Sequence, residues 1–533
     1  MHGNRFISAL LWLWLAAMAA AALSCTKEIE ETDTASQEKP DFRPTSEVSV
    51  EVNILDPDAS PKTKVDTEPD WGEYDETSSE KAINNLYLFA VDYNPATGEE
   101  RVEGYVLIDL DKSVKTQNGY RAGHTFKLAS GIKRFYVGAN MTEQHVMAFI
   151  NQTAIIGGSS EEALSLVMDN YQTKTGAGTS MVMLSSPAYN GTQTEFDAAT
   201  TKYLSLNAKL KRLASKVMVI ADYSGSVFGP SNRPGERIYY IETDEGFFFD
   251  FQFVLNNTNK TFNVDERFEQ GIDLFNADPN WALGQWVEKD PATGTYRPKT
   301  MADYEGNFSF WDKDGIKERL DTTKWWCIKV PSSKSDYMGQ GLYCLENTVY
   351  DDPEYGLTFS SAAEKSDAAY LTTTHVYIKA RFAPKAVYGD SAPGVNNTTD
   401  RISHLSWNYD KDGNNPYTFY VENGSSPKKF YTANGVKNFG ASDYSKFTEY
   451  TGGWVYFKTF FEEGGMDDDD GVITYHGINR WGIRRNDYCI LTIRSIDNWG
   501  SNEPGSESIK VKSETVSNWT NRGYQEIIVN PVK

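Results

Sequence analysis

The chain has 533 residues, 74 of them acidic and 52 basic, for a formal charge of −22. Carboxylates spread this widely argue against nucleic acid and an anionic membrane surface as partners. The length exceeds what one core supports, so two or more domains are expected, and 31 Tyr and 13 Trp suit broad sheets covered on both faces.

In chain order, Arg5 precedes an apolar run from Phe6 to Leu23, the pattern of a signal peptide over residues 1–24. The run ends at Ala22-Leu23-Ser24-Cys25, which resembles a lipobox, so Cys25 is expected to carry the acyl (palmitate) anchor of an outer membrane lipoprotein. Residues 25–45 are polar and Pro-containing, a composition that cannot bury enough surface to offset its ordering entropy, and read as a disordered tether. No second apolar stretch approaches the roughly 18 residues that a membrane-spanning helix needs.

Period-two alternation then takes over. Val48, Val50, Val52 and Ile54 alternate with Ser49, Glu51 and Asn53, as in a half-buried strand. Leu86 to Val91 is a continuous apolar run, as in a central strand, and Asn94 to Gly98 turns into a return strand from Val102 to Leu110. Thr125 to Leu128 and Arg134 to Asn140 flank a Ser130-Gly131 turn. Two short helices are expected, near Glu143 to Ile150 and from Ser160 to Tyr171, where Ala163, Leu164 and Val167 share a face. Strands resume at Tyr203 to Leu210 and Ser215 to Ile220. The loop Ser224 to Gly235 is the expected boundary between an N-terminal β-sandwich domain (46–223) and a C-terminal one (224–505). The second half offers strands near Tyr239, Phe247, Trp325, Thr374, Tyr417, Trp454 and Tyr488, with polar insertions such as Asp278 to Asp314 between them. Short strands, turn signals and few helices predict an all-β protein of sandwich type.

Several segments resemble the Bacteroidales-type fimbrillins. They are Gly72-Glu73-Tyr74 with Ile83-Asn84-Asn85-Leu86, Phe126-Lys127-Leu128 with Val137-Gly138-Ala139-Asn140, and Lys211-Arg212-Leu213-Ala214-Ser215-Lys216-Val217. The most specific is Trp481 to Ile493, similar to that family's C-terminal signature, with Arg485, Asn486 and Tyr488 at matching positions. The resemblance implies two transthyretin-like β-sandwich domains, with short helices, long loop insertions and a C-terminal strand tail. It also implies a pilus (fimbrium) lipoprotein precursor, joined to other fimbrial subunits by strand exchange once a protease removes the N-terminal strand that carries Val48, Val50, Val52 and Ile54. Where that family has an arginine at the cut, this chain has Lys62 and Lys64.

The tail (506–533) fits this independently. Ile509 and Val511 alternate with lysines, and Val516, Trp519, Ile527 and Val529 form a second alternating segment around Asn521-Arg522-Gly523. Such a strand either joins a neighbour's sheet edge or folds as a hairpin on its own domain.

Catalytic motifs are missing: the sequence holds no G-x-S-x-G, HExxH or P-loop, so neither an enzyme nor a cofactor is expected. Asn408, Asp410 and Asp412 match the start of a Ca²⁺ loop, but position 12 is Phe419, so they are weak candidates and no metal is expected. Cys327 and Cys344 are either bridged or buried thiols. The expected function is a structural subunit of a cell-surface fimbria, with a tip or basal subunit, or an adhesin binding glycan or partner cells, as the alternative. Its partners would be other fimbrial subunits, the outer membrane through the lipid, and a host or bacterial surface ligand.

Overall fold

Alternation of apolar and polar side chains gives this chain many of its strands, and in the structure, a computed structural model, strands are the main element among the described residues. It describes residues 43–55, 82–116, 119–168, 180–185, 193–228, 235–266, 278–280, 283–309, 325–328, 341–348, 371–389, 417–440, 442–460, 483–486, 488–493, 496, 500–503, 513–517 and 522–527. Thr45–Lys533 form one compact unit.

The first half contributes β1 (Thr45–Leu55), β2 (Leu86–Tyr93), β3 (Glu100–Ile108), β4 (Val114–Thr116), β5 (Gly119–Ala129), β6 (Gly131–Ala139), β7 (Ile155–Ile156), β8 (Met183–Ser185), β9 (Gln193–Phe196), β10 (Tyr203–Arg212) and β11 (Ala214–Ala221). A nine-stranded sheet runs β3-β2-β6-β8-β10-β1-β5-β4, with β9 beside β6. It folds over on itself. Leu88 and Ala90 of β2 and Phe135 and Val137 of β6 share one core with Val50 and Val52 of β1 and Phe126 of β5. The opposite face of β2 and β6, with Phe89 and Tyr136, packs on the two expected helices, observed at Glu143–Ile150 and Ser160–Val167. Thr142 and Ser159 supply their N-caps: the Glu162 amide donates to the Ser159 hydroxyl at 3.1 Å, and the Thr142 amide donates to Nδ1 of His145, also at 3.1 Å.

The second half adds β12 (Gly225–Phe228), β13 (Arg237–Glu242), β14 (Gly246–Asn256), β15 (Thr258–Asn259), β16 (Thr261–Phe262), β17 (Val287–Lys289), β18 (Tyr296–Pro298), β19 (Phe308–Ser309), β20 (Trp326–Cys327), β21 (Leu342–Leu345), β22 (His375–Pro384), β23 (Phe419–Glu422), β24 (Phe430–Tyr431), β25 (Phe447–Tyr450), β26 (Trp454–Phe460), β27 (Tyr488–Ile493), β28 (Ser513–Ser517) and β29 (Arg522–Ile527). One sheet runs β21-β11-β27-β28-β29 and a second β12-β13-β14-β22-β26, with β20 on β14. Their inner faces meet through Val217, Val219, Leu491 and Ile493 on one side and Phe248, Phe253, Ile378 and Phe457 on the other. The protein is an all-β sandwich fold with a few short helices.

β11 lies before the loop at Ser224 in sequence, yet it pairs antiparallel with β21 and parallel with β27. Its composition explains why. Seven of its eight residues are buried, so it needs cover on both faces, and its side chains alternate between two cores. Val217 and Val219 enter the second sandwich, whereas Met218 and Ile220 join the core beneath the helices. The polar insertion after Asp278 carries the short helices Leu283–Trp286 and Met301–Asn307 and the small strands β17 to β19.

Candidate strand-exchange site

β1 is a central strand held on both edges. It pairs antiparallel with β5 from Thr45↔Ala129 to Leu55↔Gly119 and parallel with β10 from Ser49↔Tyr203 to Leu55↔Lys209. The alternation read from sequence sets the faces. Val48, Val50, Val52 and Ile54 are all at most 2% exposed, whereas the residues between them face outward. Outward contacts are modest: Ser49 and Thr125 hydroxyls are 3.2 Å apart, and Asn53 Nδ2 donates to Asn207 Oδ1 at 3.1 Å. Burying the four apolar side chains contributes about 6–12 kcal/mol, at roughly 1.5–3 kcal/mol each. Taking β1 out would leave two unpaired edges, on β5 and β10, around an apolar slot.

The tail forms two antiparallel strands on its own chain. β28 pairs with β27 at Ile490↔Glu514, and β29 pairs with β28 from Ser513↔Ile527 to Ser517↔Arg522. Val516 lies in β28 and Ile527 in β29. Ile509, Val511, Trp519 and Val529 lie outside the described residues, as do Cys25, Lys62, Lys64, Asn408, Asp410 and Asp412. Among the described residues the cysteines carry no disulfide: Cys344 and Cys489 are buried, and Cys327 is exposed on β20.

Two of the motifs quoted from sequence meet in space. Asn486, with φ of 64°, turns the chain into β27, and its Oδ1 accepts from the Arg212 amide at 3.1 Å and from Arg212 Nη1 at 3.2 Å. The Asn486 amide in turn donates to Ala214 O at 3.0 Å. Arg485 is paired to Glu346, Nε to Oε2 at 2.9 Å, and donates to the carbonyls of Val264 and Asn263 at 2.8 and 2.9 Å. Beside it, Asn347 Nδ2 donates to Asn257 O, Thr372 O and Thr374 Oγ1 within 3.0 Å. Alternation could not reveal this buried polar seam, because its members come from five separated segments.

Burial governs the titration of other groups. Asp278 accepts from the amides of Thr348 and Asn280, yet burial, with Glu346 nearby, pushes its carboxyl up to about 7. His375, read from sequence as a satisfied sheet residue, is fully buried. Its Nδ1 lies 2.8 Å from Thr373 O and its Nε2 3.2 Å from Asn256 Nδ2, and burial pushes its pKa down to about 3. Among the described residues no cluster of three or more His, Cys, Asp or Glu is placed to hold a metal.

The geometry defines a β-sandwich protein with a buried N-terminal strand and a paired C-terminal tail. No protein-family model and no curated protein matches the chain. Solved structures do. The tip fimbrial protein Mfa3 of Porphyromonas gingivalis, with a C-terminal truncation, is 11% identical, with a TM-score of 0.32 over 90% of this chain and 100% of its own. A candidate cell adhesion protein of Parabacteroides distasonis is 11% identical, with a TM-score of 0.35 over 88% of this chain and 100% of its own. A fimbrial assembly protein of Parabacteroides distasonis is 9% identical, with a TM-score of 0.29 over 91% and 100%. By their names these neighbours are fimbrial and cell-adhesion proteins.

Proposed function

We propose that this chain is a structural subunit of a cell-surface fimbria, exported as a lipoprotein anchored at Cys25 and assembled by strand exchange. One observation carries the reading. A strand near the start of the chain, with four wholly buried apolar residues, sits between two other strands of its sheet. Lys62 and Lys64 follow it in sequence. Cleavage there, with release of Thr45–Leu55, would open a slot for an alternating strand from another subunit, and the alternating tail has the pattern to fill it. Val48, Val50, Val52 and Ile54 are then the displaced set, and Ile509, Val511, Val516, Trp519, Ile527 and Val529 the incoming one.

A second reading is favoured by the tail's pairing on β27: a chain whose tail is satisfied on its own sheet suits a tip or basal position, or an adhesin. Mass spectrometry of subunits released from fibres separates the two. A shaft subunit would begin near Val65 and lack lipid. Subunits still acylated at Cys25 throughout the fibre would contradict the shaft assignment. Deleting Ser506 to Lys533 should abolish incorporation under the first reading and leave it intact in a tip subunit.

A further inference from the structure

Lys133 of β6 has a wholly buried side chain, in cross-strand register with Asp92 of β2. Its Nζ contacts Asp92 Oδ1 and lies 2.8 Å from Glu103 Oε2 of β3. The two carboxylates are themselves only 15% and 10% exposed.

Strand geometry produces this meeting. On β2, Leu88 and Ala90 face the inner core, and Asp92 follows them at period two. On β6, Phe135 and Val137 face the same core, and Lys133 precedes them in step. Glu103 arrives by a β-bulge. Ala90 pairs with Gly104 and Val91 with Val102, so Glu103 is the extra residue. Phe126 closes over this stretch of β3: a Cβ at Gly104 would stand 3.2 Å from its ring.

One amine against two carboxylates at the edge of an apolar core is a costly ionic arrangement, because desolvation penalises every charge in it. The groups in contact are an amine and a carboxyl. Those are the two partners of an amide condensation, held in contact with a second carboxyl beside them.

We propose that Lys133 and Asp92 form an intramolecular amide cross-link, with Glu103 as the proton carrier. Nζ passes a proton to the Asp92 carboxylate and, as the free amine, attacks Cγ of the resulting carboxyl. Glu103 takes the proton from the nitrogen and returns it to the departing hydroxyl, which leaves as water. One N–C bond forms and one C–O bond breaks, with no oxidant, metal or cofactor. Fixed contact removes the translational and rotational entropy loss that the same condensation carries between free side chains in water. The product ties β2 to β6 covalently.

Peptide mapping of the purified full-length chain tests this directly. The expected product is a branched peptide containing Asp92 and Lys133, lighter by one water than its two linear parts, with trypsin no longer cutting after Lys133. Two linear peptides, with cleavage after Lys133, would overturn the proposal without any variant being made. In Glu103→Gln, with a native circular dichroism spectrum as the check on folding, the branched peptide should fall at least tenfold in yield. An undiminished yield would remove Glu103 from the reaction.

Discussion

Arg485 shows what a single side chain does here. Its guanidinium is 3% exposed, paired to an equally buried Glu346, and its remaining donors reach two backbone carbonyls. Truncating it to Met would leave Glu346 charged and alone in the interior, which typically costs 3–5 kcal/mol, about the same as other broken buried pairs. Urea unfolding of Arg485→Met should show that loss. Replacing Arg485 and Glu346 together by apolar residues should recover much of it, since the orphaned charge rather than the missing pair dominates the penalty. Asp278 makes a pH prediction. Its folded pKa, about 7, is raised above the ordinary 3.8, so the fold favours the protonated acid. Its contribution is full below the unfolded value, is lost as pH rises between the two, and is level above. Over that window stability should fall by up to about 1.4 kcal/mol per pH unit, and Asp278→Asn should flatten the slope. His375 acts in the opposite sense. Its depressed pKa means that acidification below the ordinary 6.5 favours the unfolded chain, down to about 3. Denaturant midpoints of the parent and of Asp278→Asn across the acidic range separate the two contributions.

At the scale of elements, β1 makes the sharpest claim. Val50 is 1% exposed and faces the inner core, whereas Ser49 is on the outer surface. Val50→Asp should therefore cost more than about 4 kcal/mol through an unpaired buried charge, and Ser49→Asp should stay within about 0.5 kcal/mol. Equal effects at the two positions would mean that the strand is not seated as described. This strand was legible in the sequence because its period is unbroken over seven residues. The helices at Glu143–Ile150 and Ser160–Val167 were legible for a related reason: each opens on a capping residue and keeps one apolar face. β11 shows the limit. Its apolar run announced a buried strand, but neither spacing nor composition says that Val217 and Met218 serve different cores. That depends on β21 and β27, more than a hundred residues away. β15, β16 and β19 were invisible because two-residue pairings leave no period to detect. The polar seam was half legible: the motifs that carry Arg212, Arg485 and Asn486 could be quoted, but neither their meeting nor the partner Glu346 could be.

For the molecule as a whole, the proposed strand exchange would require two separable events, and each has its own readout. The intact chain satisfies both candidate elements internally, β1 between β5 and β10 and the tail on β27. It should therefore remain monomeric in solution. Cleavage after Lys64 should by itself leave each fold intact, because β1 keeps its ladder and its four buried side chains, worth about 6–12 kcal/mol together, until a tail displaces it. Assembly should begin only when the released strand is exchanged for a tail, and a tail inserted into a fresh slot gains both the apolar burial and the main-chain hydrogen bonds of two edges. Size-exclusion chromatography with light scattering should then give monomers for the uncut chain, monomers for a cut chain lacking Ser506 to Lys533, and a ladder of oligomers for a cut chain with its tail. A synthetic Thr45–Leu55 peptide in excess should suppress that ladder by reoccupying the slot, and a Val50→Asp, Val52→Asp version should not. Oligomers formed equally well by the tailless cut chain would require a different joint, with the tail only a hairpin on its own sheet.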